Sequence, residues 1–203
     1  MRIIHSSNGS TLPWMSLALA GLMAALFAAF GPAPEALVYD RVAINDGEWW
    51  RLLTGHWIHS DRGHLTWNVS AFLVLGWITE TRNRSALIAA LLAGTLGVNL
   101  MLWLMLPEIT HYCGMSGVLN TLLLFALATL WRSATLPILV VTGVLSFAKI
   151  LIEISAGQAL FTSSTWQSVP QVHLAGWLAG LALIVAWSFS ASAYRSLPAA
   201  PSD

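Results

Sequence analysis

Six stretches of this chain, roughly 14–30, 65–79, 86–106, 116–131, 136–152 and 171–190, are apolar runs with almost no charge. No other feature constrains the fold as much. Hydrocarbon offers the backbone no water to bond, so a spanning segment must satisfy its own N–H and C=O groups, as a helix does. Runs approaching about 20 residues match a hydrocarbon core about 30 Å thick. Charged residues make up 9% of the chain, where a soluble domain carries about 25%. The expected fold is therefore an all-α membrane protein, a six-transmembrane-helix bundle forming one domain over residues 1–203, with the lipid bilayer as its solvent. The formal net charge is zero and no run of like charge occurs, which argues against nucleic acid as a partner. The single cysteine, Cys113, allows no intrachain disulfide and reads as packing. The first run reads as a retained helix, not a signal peptide, because only Arg2 charges the segment before it and "GPAPEA" is a poor cleavage site.

Six spans set Arg2, Arg82, Arg84, Arg132 and Arg195 on one side and Arg41, Arg51 and Arg62, all in the long first loop, on the other. The loops at 107–115 and 153–170 carry no Lys or Arg. By the positive-inside rule both termini are expected in the cytoplasm. The fourth run is short: its 16 residues reach about 24 Å. With its inner end near Arg132, Ser116 lies below the outer surface, and irregular backbone must precede it. Such backbone is tolerated only where protein or water covers it.

Three spans begin on that outer side, and each opens with polar residues: His64 and Asn68 at i, i+4 on the second, Ser116 on the fourth, Gln171 and His173 on the sixth. Polar groups at one depth in a bilayer are costly and tend to be functional. The set suits acyl transfer. A serine hydroxyl needs a base to take its proton, and His173 can serve. Free N–H groups at the start of a helix, with Asn68 and His64, can face an oxyanion. Gly114 and Gly117 let backbone and substrate approach the hydroxyl. Gly176 and Gly180 form a small-xxx-small face that can seat the sixth span against the fourth.

Each residue also has a plain structural reading. Ser116 can cap a helix, His64 and Asn68 can join helices, and His173 can be an interfacial histidine. Trp14, Trp131 and Trp166 read as interface anchors. Lys149 and Glu153, at i, i+4, read as an ion pair with the lysine snorkelling outward. "NVS" at 68–70 matches a glycosylation acceptor but lies within a span. Two rival chemistries remain open. One is a metal site drawn from His56, His59, Asp61, His64 and His111, although no His-Glu-x-x-His occurs. The other is a transporter, although few spans carry ionisable groups and no paired broken helices stand out.

Together these residues resemble the rhomboid family of intramembrane serine proteases. "GMSG" at 114–117 is similar to the family's G-x-S-G, His173 with Gly176 and Gly180 to its H-x-x-G-x-x-x-G, and His64 with Asn68 to its H-x-x-x-N. Trp50-Arg51 and His59 resemble structural elements of the family's first loop. The resemblance implies a Ser116–His173 dyad using no metal or cofactor. It implies an oxyanion hole from His64, Asn68 and the Ser116 N–H, with Gly114, Met115 and Gly117 at the substrate. Its expected substrates are membrane-anchored proteins with a single or C-terminal transmembrane segment, cut near the outer boundary of a bacterial inner membrane, with the active site opening to the periplasmic side. The small size resembles the rhombosortase branch, which is thought to process C-terminal sorting tails bearing Gly-Gly. A non-catalytic relative that captures helices is the remaining alternative. Four residues after the serine, where many rhomboids carry an aromatic and rhombosortases a histidine, stands Asn120. From one turn below Ser116 it can support the dyad by bonding His173.

Overall fold

The computed structural model describes residues 12–131, 134–160 and 164–195, with side chains as far as residue 188. Arg2, Arg132 and the Arg195 side chain, used above for orientation, lie outside the described set.

Helix α1 (Trp14–Phe30) leads into a long first loop. That loop holds strand β1 (Tyr39–Asp40) and the short helices α2 (Arg41–Asn45) and α3 (Arg51–Thr54). Helix α4 (Arg62–Glu80) follows, then α5 (Arg84–Leu100), which ends in a π-helical turn at Met101–Met105. Strand β2 (His111–Tyr112) precedes α6 (Ser116–Leu130), α7 (Leu136–Ala156) and α8 (Pro170–Arg195). Three of these are long and apolar enough to cross a membrane, namely Arg84–Met105, Leu136–Ala156 and Pro170–Ser188. Helices α1 and α6 are apolar but shorter. Helix α4 has 19 residues, yet Arg62, His64, Asn68 and Glu80 dilute its apolar character.

Helix α6 is the hub. It packs against α4, α5 and α8, and eight of its 15 residues are buried. The approach to α8 is close because glycines meet there. A Cβ on Gly176 would land on the Gly117 carbonyl oxygen, and one on Gly180 would press on Thr121 and Leu124 at 3.1 Å. Thr121 adds a hydrogen bond from Oγ1 to the Gly176 carbonyl at 2.6 Å. Helix α7 is peripheral. Its only buried residues are Leu139, Ile150 and Glu153, and Val140, Val141, Val144 and Leu145 stand exposed. An apolar outer face is what a lipid-facing helix needs.

The first loop is tied down through its arginines. Arg51 is 6% exposed and donates to the Glu35 and Val38 carbonyls while paired with Glu48 at 2.6 Å. Arg41 donates to the carbonyls of Leu102, Trp103, Leu106 and Ile109, which answers the open end of the π-helical turn. Strands β1 and β2 pair antiparallel, Tyr39 with Tyr112 and Asp40 with His111. These contacts fix the irregular segment that leads into Ser116. Trp50 is 51% exposed and bonds the Ala36 carbonyl from Nε1 at 3.2 Å.

Candidate active site

Ser116 is the first residue of α6. Gly114 before it has φ +111°, which an L side chain rarely adopts. The same glycine is packed under the His64 imidazole, where any Cβ would collide with the ring. Its N–H donates to the Gly55 carbonyl at 2.9 Å, and its carbonyl accepts from the Tyr112 hydroxyl at 2.8 Å. The turn therefore presents Ser116 in one conformation. The Ser116 hydroxyl lies 3.0 Å from His173 Nε2. His173 stands one turn above Gly176 on α8, so the glycine contact between α6 and α8 also sets this distance.

The other imidazole nitrogen, Nδ1, lies 2.9 Å from Glu153 Oε2 on α7. The carboxylate's second oxygen accepts from Lys149 Nζ at 2.6 Å and from the Leu160 N–H at 2.9 Å. Glu153 is fully buried and His173 is 6% exposed. The expected ion pair between Lys149 and Glu153 is thus present, but it is half of a larger arrangement. Nothing in the local sequence announces the other half. A carboxylate four residues from a lysine looks already satisfied, and the apolar pattern ends at residue 152 although the helix continues to Ala156.

His64 and Asn68 lie on α4 across a cavity of about 280 Å³ that Ser116 and His173 also line. His64 is held at Nδ1 by the Ser60 hydroxyl at 3.1 Å. Asn68 donates from Nδ2 to the His64 carbonyl at 2.8 Å, which uses one of its two N–H bonds and leaves a second donor. The loop after α7 closes over this end of α4. Thr165 N–H donates to Asp61 at 2.9 Å, and the hydroxyls of Ser60 and Ser164 are 2.7 Å apart. Asp61 also caps α4 by accepting from the His64 N–H at 2.8 Å. Burial alone would raise its pKa. The hydrogen bonds from the His64 and Thr165 N–H groups and the Ser60 hydroxyl outweigh this and hold it at about 2.

His59 lies beneath His64, ring edge to ring face at 5.1 Å, fully buried, with no hydrogen bond at either ring nitrogen. Burial and then the neighbouring His64 hold it neutral, with a pKa of about 3. His56 is also held low, at about 4, by burial. Its Nε2 faces Asn99 at 3.3 Å. The residues weighed above for a metal site do not converge, and among the described residues no three His, Cys, Asp or Glu groups gather as ligands would. Burial pushes the Cys113 thiol up to about 12, so it is a packed neutral group and not a second nucleophile.

Several expected positions move. Asn120 donates from Nδ2 to the Ser116 carbonyl at 2.9 Å, a bond within its own helix, and the side chain that meets His173 Nδ1 is Glu153. Met115 is 1% exposed and packs in the main apolar cluster, and it does not line the cavity. Gly117 faces Val98 and Val172 and serves helix contact, not substrate approach. Trp166 lines the cavity and meets His111 edge to face at 6.5 Å, while Trp14 and Trp131 stand exposed at helix ends.

The Ser116 hydroxyl thus lies within hydrogen-bond reach of a buried imidazole, at a cavity inside an apolar helix bundle. The Rhomboid domain family model matches residues 46–190, more than two thirds of the chain. The chain belongs to the rhomboid family, whose members are serine intramembrane proteases. A comparison with curated proteins gave no match.

Proposed function

We propose that this protein is an intramembrane serine endopeptidase in which Ser116 is the nucleophile and His173 the base. The observation that carries this reading is the 3.0 Å contact between Ser116 Oγ and His173 Nε2 at a cavity also lined by Asn68 and His64. Ser116 Oγ attacks the scissile carbonyl carbon and passes its proton to His173 Nε2. The tetrahedral oxyanion is met by the free Asn68 N–H, the His64 imidazole and the Ser116 N–H. The C–N bond then breaks, and the leaving amine takes the proton from His173. Water attacks the acyl-enzyme, His173 accepts its proton, and Ser116 is regenerated as the carboxyl product departs.

In this reading α1 and the five helices α4 to α8 all span the bilayer, with both termini cytoplasmic and the cavity facing the periplasm of a bacterial inner membrane. Arg82 and Arg84 at the opposite end of α4 support that orientation. The substrate is a membrane-anchored protein cut near its outer boundary. Within the family, this reading takes the sorting branch, which acts on C-terminal tails with Gly-Gly, an apolar helix and basic residues. Glycines at the membrane edge supply extended backbone able to enter the site.

The test is cleavage of such a tail reporter by purified protein in detergent, beside an ordinary single-pass reporter. Cleavage at the glycines that disappears in Ser116→Ala and in His173→Ala supports the full reading. Cleavage of the single-pass reporter alone moves the protein to the general family. Unchanged cleavage by Ser116→Ala overturns the mechanism, and binding of either reporter without cutting identifies a helix-capturing relative.

A further inference from the structure

We infer that Glu153 is a positioning residue for His173, so that the site works as a serine–histidine–glutamate relay and not as a serine–histidine pair alone. The inference rests on the Ser116–His173 reading above. Glu153 is one of three buried residues on an otherwise outward-facing helix, and it is fully buried. Its place is costly. A carboxylate removed from water needs strong partners, and the last turn of a helix carries the negative end of the dipole, which repels it. Three donors converge to offset this. Among the described residues, Lys149 and the Leu160 N–H take Oε1, and only the His173 ring takes Oε2.

That division has a chemical consequence. With Oε1 doubly occupied by donors, Oε2 is left as a pure acceptor, and the imidazole must present N–H from Nδ1. Nε2 then carries the lone pair that Ser116 needs, and the base begins in the productive tautomer. When His173 takes the serine proton, the imidazolium forms 2.9 Å from a carboxylate oxygen. The bond also sets the ring plane. Helices α7 and α8 hold it from below through Trp177 Nε1, which donates to Ser146 Oγ at 3.2 Å, and through the Phe147–Trp177 ring contact at 4.8 Å. Lys149 acts one step further out by holding Glu153.

The experiment measures kcat and KM for the cleaved reporter with wild type, Glu153→Gln, Glu153→Asp and Ser116→Ala, each checked for its thermal midpoint in detergent. Glu153→Gln is expected to lower kcat on the order of 100-fold or more, with KM within about threefold. Glu153→Asp is expected to recover part of that loss, because a carboxylate returns. Glu153→Gln with kcat within about threefold of wild type overturns the inference while Ser116→Ala remains inactive. Full activity in Ser116→Ala instead removes the underlying mechanism, and the inference with it. Should Glu153→Gln fail to fold, 15N-histidine NMR of the wild type near neutral pH, with His173 assigned by His173→Gln, gives the answer. A neutral ring protonated at Nδ1 supports the inference, and one protonated at Nε2 overturns it.

Discussion

Two glutamates are buried at opposite ends of this bundle, and they differ in what they hold. Glu80, at the end of α4, accepts from the Met15 and Ser16 N–H groups at 3.0 and 2.7 Å and from the Ser16 hydroxyl at 2.8 Å. It caps α1, whose own N-cap, Pro13, makes no side-chain bond. A carboxylate belongs at the positive end of a helix dipole. Arg84 adds a partner at 3.3 Å. Glu153 instead sits in the last turn of its own helix, against the dipole, and one of its donors is an imidazole. The donors on Glu80 keep their protons throughout any reaction. The imidazole on Glu153 is the one donor whose proton state a reaction must change. A buried carboxylate in an apolar bundle is therefore structural or functional according to whether its partners can titrate, even where burial and distances look alike.

The comparison breaks most sharply at the chemistry. Ser116→Ala should lower the cleavage rate by at least about 10³-fold while leaving the thermal midpoint within a few degrees of wild type. His173→Ala should lower the rate as far but also lower the midpoint, because Glu153 Oε2 loses its donor. A reporter-cleavage assay paired with thermal unfolding in detergent checks both halves. Next comes Gly176→Ala. Its methyl would meet the Gly117 carbonyl, so α8 must retreat from α6 and carry His173 away from Ser116. Misplacement on the scale of 1 Å costs on the order of 100-fold in rate. A Gly176→Ala enzyme with normal kcat would show that the glycine contact does not set the dyad distance.

Glu80→Ala tests the structural end. It leaves the Met15 and Ser16 donors unmet and should remove about 2–3 kcal/mol of stability. The kcat of the folded fraction should hold near wild type. If kcat falls as steeply as in a Glu153 variant, the distinction between the two carboxylates is lost.

The smallest effect per pH unit is acid sensitivity, which begins at the site end. His56 and His59 have folded pKa values of about 4 and 3, below the ordinary 6.5. The unfolded chain binds these protons first, so stability falls as pH drops from about 6.5 towards 4 for His56 and towards 3 for His59. The slope is at most about 1.4 kcal/mol per pH unit per histidine. Asp61, also depressed, adds its loss lower still, between about 4 and 2. Hydrogen exchange at pH 5 should loosen the first loop and the start of α4 before the Glu80 end. Uniform loosening would assign the acid response elsewhere.

Much of this arrangement was legible along the chain. Apolar runs located the long helices, because a helix in hydrocarbon must be apolar on its outer face whatever it packs against. Alternating helix direction put the starts of the second, fourth and sixth runs at one depth, and this joined His64, Asn68, Ser116 and His173 before any contact was known. The direction of each side chain around its helix was not legible. Met115 and Gly117 adjoin the serine in sequence, yet Met115 points into the core and Gly117 towards α5 and α8. Asn120 stands at helical spacing below Ser116, and its amide turned back to its own helix.

By itself, then, the sequence determined that the chain is a helical membrane protein and which polar groups begin its spans, because solvation by lipid acts on each segment separately. Its three motifs carried the resemblance to the rhomboid family. Only the tertiary structure decided which of those groups touch. The approach of α6 to α8 set Ser116 against His173, and the rotation of α7 turned Glu153 inward as a partner for the histidine. Both depend on how neighbouring helices pack, and packing between helices leaves little trace in the local pattern of either one.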